Sequence, residues 1–327
     1  MRRRIRFLIL PAAVLLVFLS GPRMRPERAA TVPTDLPRTV GEVSSWIENR
    51  EGSFTDLVPG TERRVEWAGR PGKRTDTALV YLHGFSASAP ELSPAPERIA
   101  DELGANLFFQ RYTGHGRSGE ALAEAHVDDW RRDTLEALAL GRILGERVVL
   151  MGTSTGASLA LLVAAGTANG PNPPLAPPDA LVLVSPNLGP ANPAAGIALL
   201  PWGAQLMRLA AGPERSWVAD SPEHDRYWTN RYPIRALVPM MVTVRLTRRV
   251  DLEQVTMPML VVYSPEDQVV RPRRTERFFA SLEPPAQQLQ PFRPANVPGQ
   301  HVLAGDILAP AGTDGLVDLV VSFLSVQ

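Results

Sequence analysis

The chain contains no cysteine among its 327 residues. Disulfides, thiolate chemistry and a lipid-modified cysteine anchor are therefore excluded, and the redox compartment stays open. Lysine is almost missing as well: of 34 basic residues only Lys73 is a lysine. With the excess of alanine and proline, we read this as the coding bias of a GC-rich genome rather than as function. Net charge is absent too, at a formal value of zero. Residues 1–28 carry seven arginines and one glutamate, which leaves 27 basic against 33 acidic residues in the remainder. A neutral-to-acidic body argues against a nucleic-acid partner. The N-terminal apolar stretch, Phe7 to Gly21, is interrupted by Pro11 and falls below the roughly 18–20 residues of a comfortable spanning helix. It follows the basic run Met1-Arg-Arg-Arg-Ile-Arg6. This pattern reads as a signal peptide or membrane anchor over residues 1–21. The body is then exported to the periplasmic side, membrane-anchored or secreted. Translation starting at Met24 would instead give a cytoplasmic enzyme.

Hydrophobic residues make up 44 % of the chain, an ordinary share for a globular core. Residues 22–58 read as a Pro- and Arg-rich linker and a short helix near Val40–Phe54. The main domain runs from 59 to 327. Strands are expected at Glu62–Trp67, Thr77–Leu82, Ala105–Phe109, 147–152, Ala180–Ser185, Met259–Tyr263 and Gln288–Phe292. Helical spacing is expected at Pro90–Leu103, Val127–Leu144, after residue 154, at Arg273–Leu282 and at Asp314–Phe323. Strands alternating with helices imply βαβ units and a mostly parallel sheet, and the continuous apolar strands imply burial on both faces. Residues 186–255 break the rhythm. They hold Trp202, Trp217, Tyr227, Trp228 and Tyr232, many prolines and no clear strand, and read as a lid or cap insertion.

Gly152-Thr-Ser-Thr-Gly156 lies between the apolar run ending at Met151 and a small-residue helical pattern. G-x-S-x-G between a strand and a helix marks a sharp, strained turn that exposes a serine nucleophile, Ser154, at a helix N-terminus. A base must follow it in the chain, and two histidines do. His301 sits in a loop after the last strand, where it can reach the serine from the sheet edge. His224 lies in the polar run Ser221–Arg226 of the insertion and reads as a solvated residue. The acid belongs after the strand ending at Tyr263, in Ser264-Pro-Glu-Asp267. Asp267 is favoured, with Glu266 the neighbouring alternative. Two backbone N–H groups complete an oxyanion site. One belongs to Thr155, the residue after the nucleophile. The other belongs to Phe85, in the turn His83-Gly84-Phe85 that follows an early buried strand. His83 reads as a residue bracing that loop. The Gly114-His-Gly-Arg-Ser118 loop lacks the spacing and lysine of a phosphate-binding loop and reads as structural. No metal-ligand spacing and no dinucleotide fingerprint is present, so no cofactor is expected.

These motifs, in this order, resemble the α/β-hydrolase superfamily over roughly residues 60–326. The nearest likeness is to the serine aminopeptidase-like group, which includes carboxylesterases, monoacylglycerol lipases and lysophospholipases. The resemblance implies an eight-stranded, mostly parallel sheet flanked by helices, with a lid after the sixth strand. It implies Ser154, Asp267 and His301 as a triad, and Phe85 and Thr155 as oxyanion donors. It also implies hydrolysis of a small acyl ester, with an N-terminal amino-acyl substrate or a non-catalytic binding role as alternatives. An aromatic, Pro-rich lid favours an apolar acyl group.

Overall fold

The structure is a computed structural model, and it describes residues 13–27, 30–166, 175–282 and 287–326. The basic run at the N-terminus and the first part of the expected signal or anchor lie outside these residues. Residues 13–19 are helical. Among the described residues no helix is long and apolar enough to cross a membrane.

Seven strands form the main sheet: β1 (Arg64–Glu66), β2 (Thr75–Leu82), β3 (Asn106–Gln110), β4 (Gly145–Thr153), β5 (Ala180–Val184), β8 (Met259–Tyr263) and β9 (Gln287–Pro291). A separate antiparallel hairpin joins β6 (Glu214–Ser216) to β7 (Arg231–Pro233). The sheet order is β1-β3-β2-β4-β5-β8-β9. All its pairings are parallel except β1 with β3 at one edge. Strands β3, β5 and β8 are buried throughout, as helical layers on both faces require.

Alternation along each strand sorts the side chains into two cores. Val80, Leu82, Val148, Leu150, Leu181 and Val261 point to one face. That face is covered by α4 (Val127–Leu144), α5 (Thr155–Ala164) and α8 (Leu237–Thr247). Leu79, Tyr81, Val149, Met151, Val182 and Val262 point to the other. There they meet α2 (Ala95–Leu103) and α10 (Thr313–Ser325). The helix α4 begins where expected because His126 and Asp129 form a capping box at its N-terminus, satisfying N–H groups that have no intrahelical acceptor.

Two expectations need correction. The sheet has seven strands among the described residues rather than eight. N-terminal to β1 the chain turns at Pro59-Gly60 and leads back to α1 (Val43–Glu51). Arg63, just before β1, is committed to a buried ion cluster. Its guanidinium meets Glu51 at 2.5 Å, Glu136 at 3.3 Å and Asp133 at 3.5 Å. Arg111 reaches the same Glu51 carboxylate at 2.6 and 2.9 Å. Burial works against the charge of Arg63, and the carboxylates around it outweigh that effect, leaving its pKa above the usual value. The second correction concerns residues 186–255, which hold the β6–β7 hairpin as well as α6 (Gly203–Ala211), α7 (Pro222–Tyr227) and α8. The last of these helices belongs to the core layer: Thr247 Oγ1 donates to the Ser158 carbonyl of α5 at 3.2 Å.

Candidate active site

Strand register brings the turns that carry Phe85 and Ser154 to one edge of the sheet. Leu82 pairs with Gly152, and Thr153 with Val184, so the loops after β2, β4 and β5 leave the sheet side by side. The chain moves from β2 outward to β3 on one side and then returns to β4 on the other. Such a reversal opens a crevice at the carboxyl ends of the strands.

Ser154 occupies the N-cap position of α5 with φ 52° and ψ −112°. A non-glycine residue held there costs about 1–3 kcal/mol, so its surroundings must over-determine it. The Ser154 N–H donates to the Val184 carbonyl at 2.9 Å. Its own carbonyl accepts from the N–H groups of Asn187 at 3.0 Å and Ser158 at 3.1 Å. Ser158 Oγ donates to the Asn187 carbonyl at 2.9 Å. The flanking glycines have steric reasons. A Cβ on Gly156 would stand 2.1 Å from the Leu82 carbonyl oxygen, and one on Gly152 2.6 Å from the Ala157 nitrogen. Thr155 is the first residue of α5, so its N–H has no acceptor within the helix.

Asp267 and His301, 34 residues apart, meet directly: His301 Nδ1 and Asp267 Oδ2 are 2.7 Å apart. The other carboxylate oxygen, Oδ1, accepts from the N–H groups of Val269 at 2.8 Å and Val270 at 2.9 Å. Asp267 is thus fixed as an acceptor, which puts the imidazole proton on Nδ1 and leaves Nε2 with a free lone pair. The His301 backbone is held as well, because Ser185 Oγ donates to its carbonyl at 2.7 Å. Ser154, Asp267 and His301 each retain only 7–8 % exposure, enough for a substrate atom and little bulk water.

The turn after β2 is pinned at one peptide. His83 Nδ1 donates to the Gly84 carbonyl at 2.8 Å, while His83 Nε2 accepts the Tyr112 N–H at 3.2 Å. Burial lowers the His83 pKa to about 4, so the ring is neutral. The Gly84 carbonyl and the Phe85 N–H belong to one trans peptide and point in opposite directions. Fixing the carbonyl therefore aims the Phe85 N–H. The Gly84 N–H donates to Glu91 at 2.8 Å, and a Cβ on Gly84 would lie 2.6 Å from that carboxylate. Glu91 also accepts from Tyr81 Oη at 2.9 Å, and burial raises its pKa to about 7. The Phe85 ring stacks edge-on with His115, Trp130 and Tyr232. Of these, Tyr232 comes from the segment between β5 and β8. Further contacts hold that segment over the turn: the Thr229 N–H donates to the Ser86 carbonyl at 2.7 Å, and Ser88 Oγ to the Tyr227 carbonyl at 2.7 Å.

The alternatives separate cleanly. Glu266 faces solvent and pairs with Arg293 at 3.3 Å. His224 is not the solvated residue expected: it is buried between Trp217 and Trp228, 3.3 Å from Asp220, as part of the α7 packing. In the Gly114–Ser118 loop, Ser118 caps α3 (Gly119–Glu124), and His115 packs against His83. Burial, with His83 beside it, holds the His115 pKa well below 6.5. Glu91, Ser185 and Asn187 are site residues that sequence reasoning missed. No motif marks them; a glutamate seven residues past an H-G turn is the only signal, and it is a faint one. Among the described residues, no group of three or more His, Asp or Glu side chains is arranged to hold a metal ion.

A family model described as serine aminopeptidase, S33, matches residues 73–293. The chain belongs to this S33 hydrolase family. The matched span contains Ser154 and Asp267 and ends before His301. Solved structures similar to this S33-family chain include one described with the metagenome-derived lipolytic enzymes LipS and LipT. That likeness has a TM-score of 0.66 at 18 % identity, covering 83 % of this chain and 100 % of the other. A monoacylglycerol lipase of Paleococcus ferrophilus is similar with a TM-score of 0.55 at 16 % identity, over 80 % and 98 % of the two chains. A soluble variant of the monoglyceride lipase of Saccharomyces cerevisiae, in complex with a substrate analogue, gives 0.57 at 13 % identity, over 80 % and 90 %. At these identities the likeness speaks for the fold, which is that of the α/β hydrolases. No curated protein sequence matches the chain.

Proposed function

We propose that this S33-family hydrolase cleaves carboxylic esters through an acyl-enzyme on Ser154. The observation that carries the reading is the Asp267–His301 pair at 2.7 Å, at the same sheet edge as a serine held in a strained turn. Ser154 Oγ attacks the acyl carbonyl as His301 Nε2 takes its proton. Asp267 keeps the imidazole in the required tautomer and stabilises the imidazolium. The N–H groups of Phe85 and Thr155 receive the developing oxyanion, each worth roughly 2.7–4 kcal/mol in such sites. His301 then protonates the departing alcohol, and a water activated by the same nitrogen releases the acid. The lipolytic and monoacylglycerol lipase neighbours support an ester with an apolar acyl chain. The part of residues 186–255 that precedes α8 acts in this reading as the lid that selects it.

The family description favours a second reading, an aminopeptidase. It would need a free carboxylate to hold the substrate amine. One of the acids in the insertion is already engaged, Glu214 by Arg231 at 2.7 Å.

Fluorophosphonate labelling tests the nucleophile: the wild type labels and Ser154→Ala does not. Equal labelling of both proteins would remove Ser154 from the mechanism. Turnover of p-nitrophenyl esters against aminoacyl amides separates the two readings, and preference for the amide would favour the peptidase. We further propose that the N-terminal segment directs export. Fractionation of the full chain should then find it outside the cytosol; a mostly cytosolic protein would sink this proposal.

A further inference from the structure

Five arginines line one cavity beside the candidate active site. Arg245, Arg248 and Arg249 come from the end of α8 and the residues after it; Arg271 and Arg274 come from the N-terminal turn of α9 (Pro272–Phe279) and the residue before it. The cavity measures about 490 Å³, within the range of roughly 300–1,000 Å³ usual for small-ligand sites. Arg245, Arg271 and Arg274 are half-buried. Arg248 and Arg249 are exposed. Among the described residues, none of the five has a carboxylate within ion-pair distance, whereas the buried Arg63, Arg111 and Arg131 each do. Arg274 donates to the Leu188 carbonyl at 3.2 Å and Arg271 to the Ala191 carbonyl at 3.3 Å. Each guanidinium has five N–H donors, so both keep donors free for the cavity. Burial lowers the pKa of Arg245 and Arg274, and neighbouring arginines lower it further, Arg249 and Arg23 for the first and Arg248 and Arg271 for the second. Arginine stays charged regardless, so the repulsion is standing, and an anion would relieve it.

The wall of the cavity is continuous with the catalytic acid. Pro190 bridges to Val270, and the Val270 N–H donates to Asp267. On its other side the cavity is bounded by Leu199, Met241 and Val244. A cationic end beside an apolar wall fits an amphiphile rather than a bare polyanion. A monocarboxylate would need one arginine. Five arginines around one cavity suit the several oxygens and higher charge of a phosphate, which arginine binds in bidentate fashion.

We propose that this cavity is a binding site for a phosphate group. For its identification with a substrate head group, the proposal rests on the ester-hydrolase reading; for binding itself, it does not.

The test compares the full-length wild type with Arg245→Gln/Arg249→Gln and with Arg98→Gln, an exposed arginine paired with Asp314 elsewhere. In the first arm, thermal melting is followed with inorganic phosphate against chloride at equal ionic strength. Phosphate should raise the Tm of the wild type and of Arg98→Gln but not that of the double variant. Without phosphate, the double variant should melt no lower than the wild type, since it loses repulsion and no hydrogen bond. A clear loss of Tm there would mean that these arginines are structural, and would overturn the proposal. In the second arm, a 1-acylglycerol 3-phosphate and the 1-acylglycerol of the same chain are compared as substrates. If the phosphate belongs to the substrate, the ratio of their kcat/KM values falls at least tenfold in the double variant and holds in Arg98→Gln. If only the first arm responds, the site takes free phosphate. If neither arm separates the double variant from the wild type, there is no phosphate site. If neither ester is hydrolysed, the ester reading fails, and the melting arm still decides the cavity.

Discussion

Asp267 and Glu266 are adjacent carboxylates with opposite surroundings. The first gives one oxygen to His301 and the other to two backbone N–H groups; the second pairs with an exposed arginine. Asp267→Asn should keep the fold and lower kcat by about 10⁴, the size expected when the imidazole is held in the wrong tautomer. Glu266→Gln should stay within about twofold of wild type, because exposed ion pairs contribute at most about 1 kcal/mol. Steady-state hydrolysis of one p-nitrophenyl ester reads both. Glu91 makes a separate prediction about pH. Its folded pKa near 7 lies above the ordinary value of 4.5. The folded protein therefore binds more protons than the unfolded chain between those values, and stability falls as pH rises through that window and then levels off. At about 1.4 kcal/mol per pKa unit, the fall is on the order of 3 kcal/mol. In Glu91→Gln this fall should vanish from denaturant midpoints measured across the window; an unchanged fall would assign it to another group. Residues of this kind were not readable in the sequence. Ser154, Asp267 and His301 are legible because chain order and motif constrain them. Glu91, Ser185 and Asn187 matter through partners that only the folded register supplies.

Among the elements, the β4–turn–α5 unit carries the tightest constraint. Gly156→Ala would drive a methyl into the Leu82 carbonyl, and separating the strand from the helix should cost more than about 2 kcal/mol. Thermal melting should show the loss together with reduced kcat, since the serine shifts with the helix. Ser158→Ala tests the same unit more gently: it removes the hydroxyl that donates to Asn187 and should cost about 1–2 kcal/mol. Most elements could be foreseen from the sequence, because buried parallel strands are unbroken apolar runs and α4 is bounded by a capping box and a glycine. The short hairpin β6–β7 could not. Its three-residue strands carry charged, exposed side chains such as Glu214 and Arg231, and no alternation marks them. The eighth strand is an expectation of the family resemblance alone; the strand patterns of the sequence mark seven, and seven form the sheet among the described residues.

For the molecule as a whole, that ion cluster is the feature most exposed to mutation. It joins α1, the start of β1, the loop after β3 and α4 through Glu51, Arg63, Arg111, Asp133 and Glu136. Arg63→Met would strand Glu51, Asp133 and Glu136 without one of their cations. Removing one partner of a buried ion network costs about 3–5 kcal/mol, a large part of the usual stability of a domain. Urea denaturation should show a midpoint shift of that size with an unchanged slope. The Thr113 N–H is bound to Asp133 at 2.6 Å, so the variant should also loosen the loop that carries His115.

The pairing of Leu82 with Gly152 has a consequence for how such an enzyme can change. The turns that carry Ser154 and Phe85 leave adjacent strands of one ladder, so their starting points are held at the spacing of neighbouring strands, about 4.8 Å. Residues 190–226 take no part in that ladder, whereas Tyr227 and Thr229 do touch the turn that carries Phe85. Residues 190–226 should therefore tolerate exchange or shortening without moving the ends of β2 and β4. Under the proposed lid role, a transplanted segment that keeps Tyr227 and Thr229 should change substrate preference and leave that edge in place.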